Sequence, residues 1–426
     1  MRILIRGGHV VGPGRLDGIC DILIEDGKIK DIRSEKIPEA GMDRVIDATG
    51  LMVVPGLIDM HVHFREPGQE HKETILTGCR AAAHGGFTAV CTMPNTDPVN
   101  DNRKITEYIR QKAEEADSIR VYPVGAISVG LRGERLSDFE ELKSAGAVAL
   151  TDDGMPVRNS RMMRQAMERA KDLDLLIISH AEDLDLAAGG AMNEGETASR
   201  LGYAGIPNAA ESIAVMRDIA LCELTGARLH IAHVSTAESV WAIREAKNRG
   251  ARVTAETAPH YFTLTDSAVE QYGTHAKMNP PLRSSEDREA IREGLSDGTI
   301  DVIATDHAPH SPKEKELSFD QAPNGIIGLE TALPVSFSLV EDGILTIEQL
   351  IEKMAANPAE ILGLESYLKI GGTADVTIIN SKNSFLTIDG DNFCSLSRNS
   401  PFIGWNLQGS ACMTMVGGKI VFEKSL

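Results

Sequence analysis

The stretch Gly56-Leu57-Ile58-Asp59-Met60-His61-Val62-His63-Phe64-Arg65-Glu66-Pro67 decides how the rest of the chain is read. An apolar run ends in two histidines spaced i, i+2, with an arginine two positions further on. On a β-strand alternate side chains share a face, so His61 and His63 point the same way. Neutral imidazoles one strand repeat apart can both reach one metal ion, and histidine is a usual zinc ligand. The plain alternative is a strand end that happens to carry histidine. What separates the two is whether later strands end in residues able to complete the same site.

Downstream, apolar strand-like segments recur at 88–93, 120–127, 147–151, 175–179, 228–233, 252–256 and 301–305. Helical patterns lie after or between most of them, at 73–84, 102–115, 138–145, 160–171, 211–225, 237–248, 286–295 and 325–341. With the strand that ends at His63, this gives eight strands alternating with helices over about 250 residues, the pattern of a (β/α)8 barrel. An open doubly wound sheet would gather its ligands at one switch point. Here polar residues close many different strands, which favours the barrel.

Both ends of the chain have another texture. Short strands joined by glycine turns are expected at 3–5, 21–25, 28–32, 45–48 and 51–54, and again at 374–379 and 413–422, the last turning on Gly417-Gly418. Neither end has enough strands for a core of its own. The expected organisation is therefore a composite β-sandwich domain from 1–55 plus 365–426, with a barrel at 56–364 inserted between its halves.

Totals narrow the function. The 426 residues are 42% hydrophobic, enough for a large core. A formal net charge of -19 argues against nucleic-acid or anionic-membrane surfaces, though a local arginine can still hold a small anion. Six scattered cysteines without a CxxC pair read as reduced thiols. No signal peptide and no apolar run of membrane-spanning length are apparent, so a cytoplasmic protein is expected.

In a barrel, chemistry sits where the strands end. The fourth strand ends Thr151-Asp152-Asp153-Gly154 and the fifth Ser179-His180-Ala181-Glu182. The sixth runs through His230 to His233, and the eighth ends Thr305-Asp306-His307-Ala308-Pro309-His310. Singly, His180 reads equally well as a core histidine and Asp306 as a loop cap. Jointly, four histidines and two aspartates at five strand ends point to one site. His230 is out of phase and reads as structural. His260 and His307 read as supporting groups near the rim, and His9, His71, His84 and His275 as turn or helix residues.

At this point the chain resembles a known family. HVHFREPG at 61–68 and TDHAPH at 305–310 are similar to the amidohydrolase superfamily, and within it to bacterial class I dihydroorotases. VPGLID at 54–59, CTMPNT at 91–96, TDDG at 151–154, SHAE at 179–182, IAHVS at 231–235 and MNPPLR at 278–283 extend the likeness across the barrel. The resemblance implies that His61 and His63 bind one zinc with Asp153 and Asp306, and that Asp153 bridges to a second zinc held by His180 and His233. Hydantoinases and allantoinases, the rival assignments, place a carboxylated lysine at the bridge. This chain has aspartate there, which offers two anionic oxygens in its place.

The implied reaction interconverts dihydroorotate and N-carbamoyl-L-aspartate in pyrimidine synthesis, with Asp306 as the proton carrier. Arg65, Asn95, Asn279 and His310 are the implied substrate contacts; for Arg65 the competing role is a surface ion pair with Glu66 or Glu70. The segment 311–324 reads as a mobile loop over the site, with Pro323-Asn324-Gly325 bringing backbone to the ring. A homodimer and a complex with aspartate transcarbamoylase are implied partners. A non-catalytic scaffold barrel for that enzyme is the rival of another class, and it is expected to lack metal ligands.

Overall fold

Every barrel strand forms close to where its apolar run predicts. The computed structural model describes residues 1–14, 16–365, 368–381 and 385–424. The first strands are β1 (Arg2–Gly12), β2 (Leu16–Glu25), β3 (Lys28–Arg33), β4 (Arg44–Asp47), β5 (Met52–Pro55), β6 (Leu57–Val62), β7 (Phe87–Thr92), β8 (Arg120–Ala126), β9 (Ala149–Thr151) and β10 (Leu176–Ser179). There follow a two-residue pair, β11 (Met192–Asn193) and β12 (Gly205–Ile206), then β13 (Leu229–Ile231), β14 (Val253–Thr257) and β15 (Val302–Ile303). The remainder are β16 (Val376–Asn380), β17 (Leu386–Thr387), β18 (Asn406–Leu407), β19 (Ser410–Val416) and β20 (Lys419–Glu423).

The order β6-β7-β8-β9-β10-β13-β14-β15 is parallel throughout. It closes where Val62 bridges His307 and the His63 N–H donates to the His307 carbonyl at 2.8 Å. Helices pack outside, as the connection of parallel strands requires. Their ends follow capping chemistry. Thr74 accepts from the Thr77 N–H, so the first barrel helix begins at Ile75 and leaves Glu73 outside it.

Strand order β20-β19-β16-β5-β1-β2-β3, with β4 beside β1, joins both termini in one sheet. β1 is longer than the expected 3–5. Its register shifts between Ile5 and Gly8, around Gly7 at φ 65°, so its first half pairs with β4 and its second with β5. The bend wraps an aliphatic core of Ile3, Ile5, Val10, Ile22, Ile24, Val53, Val376 and Met413.

One expected helix is shorter. The sequence pattern predicts a helix over 325–341, but only Ala332–Glu341 is helical. Gly325 takes φ 120°, and a Cβ on Gly328 would sit 2.8 Å from Thr305 Cβ, so 325–328 runs close against the end of β15 instead. That detour brings backbone to the barrel mouth. Between β16 and β19 the chain also leaves the composite sheet. Ile388, Phe393 and Trp405 there pack with Ile327.

Candidate metal and substrate site

The six strand-end donors converge. His61 Nε2 lies 3.3 Å from Asp153 Oδ1 and 3.5 Å from Asp306 Oδ1. His63 Nε2 lies 3.0 Å from Asp306 Oδ1 and 3.4 Å from Asp153 Oδ2. On the other side of Asp153, His180 Nδ1 is 3.4 Å from Asp153 Oδ1, and His233 Nε2 is 3.6 Å from it. Two donor groups thus share one aspartate, His61–His63–Asp306 on one flank and His180–His233 on the other. All six are buried.

Adjacent Asp152 has a different job. It accepts from the Ser128 N–H at 2.9 Å and from the Ser128 hydroxyl, which ties β9 to the end of β8. Only Asp153 faces the cluster.

A cation fits this donor set. Among the described residues, buried His61 Nε2 and Asp153 Oδ1 have no hydrogen-bond partner. His180 Nδ1 and His233 Nε2 face each other at 2.7 Å, an arrangement of two nitrogen lone pairs that needs a proton or a metal beside it. Burial pushes the His61 imidazole down, but the charges of Asp153, Glu256 and Asp306 outweigh it and hold His61 well above its usual value. Burial pushes Asp153 and Asp306 up, and the histidines outweigh that too, keeping both carboxyls well below the ordinary range. Two carboxylates ionised among imidazoles are what a divalent ion requires. His233 and Asp306 also take positive φ, at 34° and 49°, backbone strain of the kind found where side chains are aimed for function.

Supporting groups fix three of the four rings, in a role the sequence does not assign them. His61 Nδ1 lies 2.6 Å from Glu256 Oε1, on β14. Glu256 is in turn held by His230 Nε2 at 3.2 Å, while His230 Nδ1 meets the Thr254 hydroxyl at 2.8 Å. His230 is therefore no donor to the cluster, as its phase predicts, but it reaches the cluster through Glu256. His180 Nε2 lies 3.3 Å from Glu182 Oε2, and Asn279 donates to the same oxygen at 3.1 Å. Asn95 Oδ1 is 2.9 Å from His63 Nδ1, so Asn95 orients a histidine as well as lining the pocket. A carboxylate or amide behind a metal-binding imidazole fixes its tautomer and raises its basicity. Glu256 sits on the inward face of its strand, a signal that was present but carried no motif.

Beside the cluster is a cavity of about 250 Å3, lined by Arg65, Asn95, Asn279, Ala308, His310, Asn324 and Gly325 with the donors. Arg65 makes no ion pair among the described residues, so the surface pairing with Glu66 or Glu70 does not form. Glu66 accepts instead from the Ile75 N–H and the Tyr108 hydroxyl, both at 2.9 Å. The guanidinium, only 9% exposed, donates from Nε to the Pro309 carbonyl at 3.2 Å. Burial lowers its pKa to about 10 against the pull of Asp306 and Asp153. A buried cation without a carboxylate is poised for an anion.

His310 Nε2 lies 2.7 Å from the Asn324 carbonyl, which leaves Nδ1 as an unpartnered acceptor. His260 is buried with Nε2 unpartnered, its imidazole pushed down to about 4 by burial, with His233 and His61 adding to the effect and Asp306 opposing it. His307 sits farther out. Its Nδ1 accepts from the Gly328 N–H at 3.1 Å, and its Nε2 is 3.4 Å from Glu73. The segment expected as a mobile loop is instead anchored. Lys315, in the short helix Pro312–Lys315, is 3% exposed and donates to the Pro323 carbonyl within the segment and the Gly325 carbonyl just past it.

Closed barrel and buried histidine–aspartate cluster together define the class, a barrel metalloenzyme. The dihydro-orotase-like family profile matches residues 50–239. A dihydroorotase of Desulforapulum autotrophicum is 58% identical over 428 residues, covering 100% of both chains. One from Geobacter metallireducens is 54% identical over 426 residues with the same coverage. Among solved structures, an L-hydantoinase from Arthrobacter aurescens superposes with a TM-score of 0.89 at 28% identity, covering 100% of this chain and 96% of that one. At this level of identity over the whole length, the chain belongs to the dihydroorotase family.

Proposed function

We propose that the protein is a zinc-dependent dihydroorotase of the bacterial class I type, interconverting (S)-dihydroorotate and N-carbamoyl-L-aspartate. The observation that carries this reading is Arg65, a buried guanidinium that makes no ion pair among the described residues, on the wall of the cavity beside the histidine–aspartate cluster. A ring amide alone needs no such cation; a ring bearing a carboxylate does. His61, His63, Asp153, His180, His233 and Asp306 would hold one or two zinc ions. Bound there, zinc lowers the pKa of water to about 7 and polarises a carbonyl oxygen.

The chain's own residues do the rest. Arg65, with Asn95, Asn279 and His310, orients the substrate by its carboxylate, so that the ring amide faces the cluster. Asp306 stays ionised beside His61 and His63 and can accept a proton from the attacking water. It returns that proton to the ring nitrogen as the C–N bond breaks, and the carbonyl carbon keeps the oxygen as a carboxylate once the water's second proton has passed to solvent, a proton that ring closure takes up again. Ring closure runs the same transfers backwards, releasing water. Glu256 and Glu182 hold His61 and His180 in place throughout.

The structural likeness to hydantoinases supports one rival substrate, a ring without the carboxylate. Turnover of dihydroorotate, hydantoin and allantoin should be compared on one preparation whose metal content is measured. Dihydroorotate is expected to be preferred at least about a hundredfold, with zinc bound. Equal turnover of hydantoin, or activity independent of metal, rejects the reading. A non-catalytic scaffold predicts no turnover at all, and the retention of six convergent donors counts against it. The same reading takes the protein as a cytoplasmic homodimer able to assemble with aspartate transcarbamoylase, which sedimentation with and without that enzyme checks.

A further inference from the structure

Residues 394–399 lie across the barrel mouth, pinned at one end and gripping the substrate wall at the other. Two buried carboxylates pin the start. Glu330 accepts from the N–H groups of Cys394 at 2.8 Å and Ser395 at 3.1 Å. Glu73, wholly buried, accepts from the Leu396 N–H at 3.2 Å and from the Ser395 hydroxyl. The Ser397 hydroxyl donates to the Lys72 carbonyl at 2.8 Å.

Asn399 forms the grip. It is 2% exposed, and its amide donates to the carbonyls of Ala308 at 3.0 Å and Gly325 at 3.1 Å. Its side-chain oxygen accepts from the His310 N–H at 3.1 Å, and its own carbonyl accepts from the Ile327 N–H at 2.9 Å.

Lys315 grips the same wall separately. Its ammonium donates to Pro323 at 2.9 Å and Gly325 at 3.0 Å, and makes no ion pair among the described residues. Ala308, His310, Asn324 and Gly325 line the cavity opposite the cluster; Asn399 and Lys315 do not line it. Their bonds to the wall end on backbone. The wall is built of main chain and one imidazole, and main chain in a connecting segment holds its place only through such bonds.

We propose that Asn399 and Lys315 are positioning residues for substrate recognition. Without touching the substrate, they hold 308–310 and 323–325 in register with Arg65, so that binding of the carboxylate depends on a segment contributed from near the C-terminus. This rests on the assignment of the Arg65 wall to the substrate carboxylate. A displacement of about 1 Å in such a wall is enough to cost up to a hundredfold. The expected signature is in KM, because the bonds end on the backbone of the Arg65 wall and none ends on Asp306.

Steady-state kinetics, zinc content and thermal midpoints of Asn399→Ala, Lys315→Met and Lys315→Arg test this, with Arg65→Ala alongside. KM for dihydroorotate should rise about tenfold in Asn399→Ala and Lys315→Met, with kcat within about threefold and zinc retained. Lys315→Arg, which keeps charged donors, should recover most of the loss. If Asn399→Ala does not fold, Asn399→Asp substitutes for it, since it keeps the acceptor for His310 but turns an oxygen toward two carbonyls. A lowered thermal midpoint with unchanged KM, or a loss confined to kcat, overturns the positioning role. If Arg65→Ala also leaves KM unchanged, the substrate assignment itself is wrong; a KM effect in Arg65→Ala alone sinks only the present inference.

Discussion

The two mouths of the barrel hold cavities of opposite character. Where the strands begin, a hollow of about 400 Å3 is lined by Arg228, Arg252, Asp301 and Asn357 among others, larger than the 250 Å3 beside the cluster. Yet its charges are answered. Arg228 donates to the Ile361 carbonyl and lies 3.7 Å from Asp174, and Arg252 donates to the Gly226 carbonyl at 3.4 Å. Asp301 takes the Lys247 ammonium at 2.7 Å and the Ala255 N–H at 2.8 Å. Where the strands end, His61 Nε2, Asp153 Oδ1, Asn279 Oδ1 and His310 Nδ1 are buried without hydrogen-bond partners among the described residues. Each such group costs about 1–3 kcal/mol. Single unpartnered groups such as Arg292 Nε and Ser336 Oγ occur elsewhere, but here imidazoles, a carboxylate and an amide converge on one cavity, and that convergence marks the working mouth better than volume does.

Substitutions at each mouth can break this contrast. Asp306→Asn should show the largest effect, a fall in kcat of about a hundredfold or more with zinc still bound. Metal analysis beside the rate measurement checks it, and near-normal turnover would remove Asp306 from proton transfer. Glu256→Gln keeps the shape but weakens the acceptor behind His61 Nδ1. It should lower zinc affinity or turnover by about tenfold to a hundredfold, read by titration with a chelator. Arg65→Ala should raise KM about tenfold with little change in kcat, the worth of a charged hydrogen bond of about 1.5 kcal/mol. If the maximal rate alone fell, the anion-binding role would be wrong. Arg228→Ala, at the opposite mouth, should lower the thermal midpoint by about 2 °C and leave both kinetic constants within about twofold. A large kinetic effect there would dissolve the distinction.

How much was legible depended on what carries the geometry. His61, His63, His180, His233, Asp153 and Asp306 lie at or just past strand ends, so ligand-type residues could be read together at one rim and the family motifs could single them out. Periodicity does not aim them all, since His233 and Asp306 take positive φ. Glu256 follows the same rule but lies inside the apolar-looking segment 252–256, where nothing distinguishes a working carboxylate from a core outlier. Arg65 could be placed on the right face, but its lack of a carboxylate partner is a fact about Glu66, which turns away to the Ile75 N–H and Tyr108. The segments 325–331 and 394–399 were misjudged or passed over because their role is played by backbone.

By itself the sequence determined the alternation of strands and helices and the joining of the two ends in one sheet, because two-residue and 3.6-residue periodicities set which way side chains point, and it placed the six donors at one rim because each lies at the end of a barrel strand. The tertiary structure alone decided that Asp152 is taken up by Ser128, which buried charges stay unpaired, and that Asn399 reaches across the mouth to His310. Those outcomes depend on contacts between residues up to hundreds of positions apart, and no local rule along the chain encodes who meets whom.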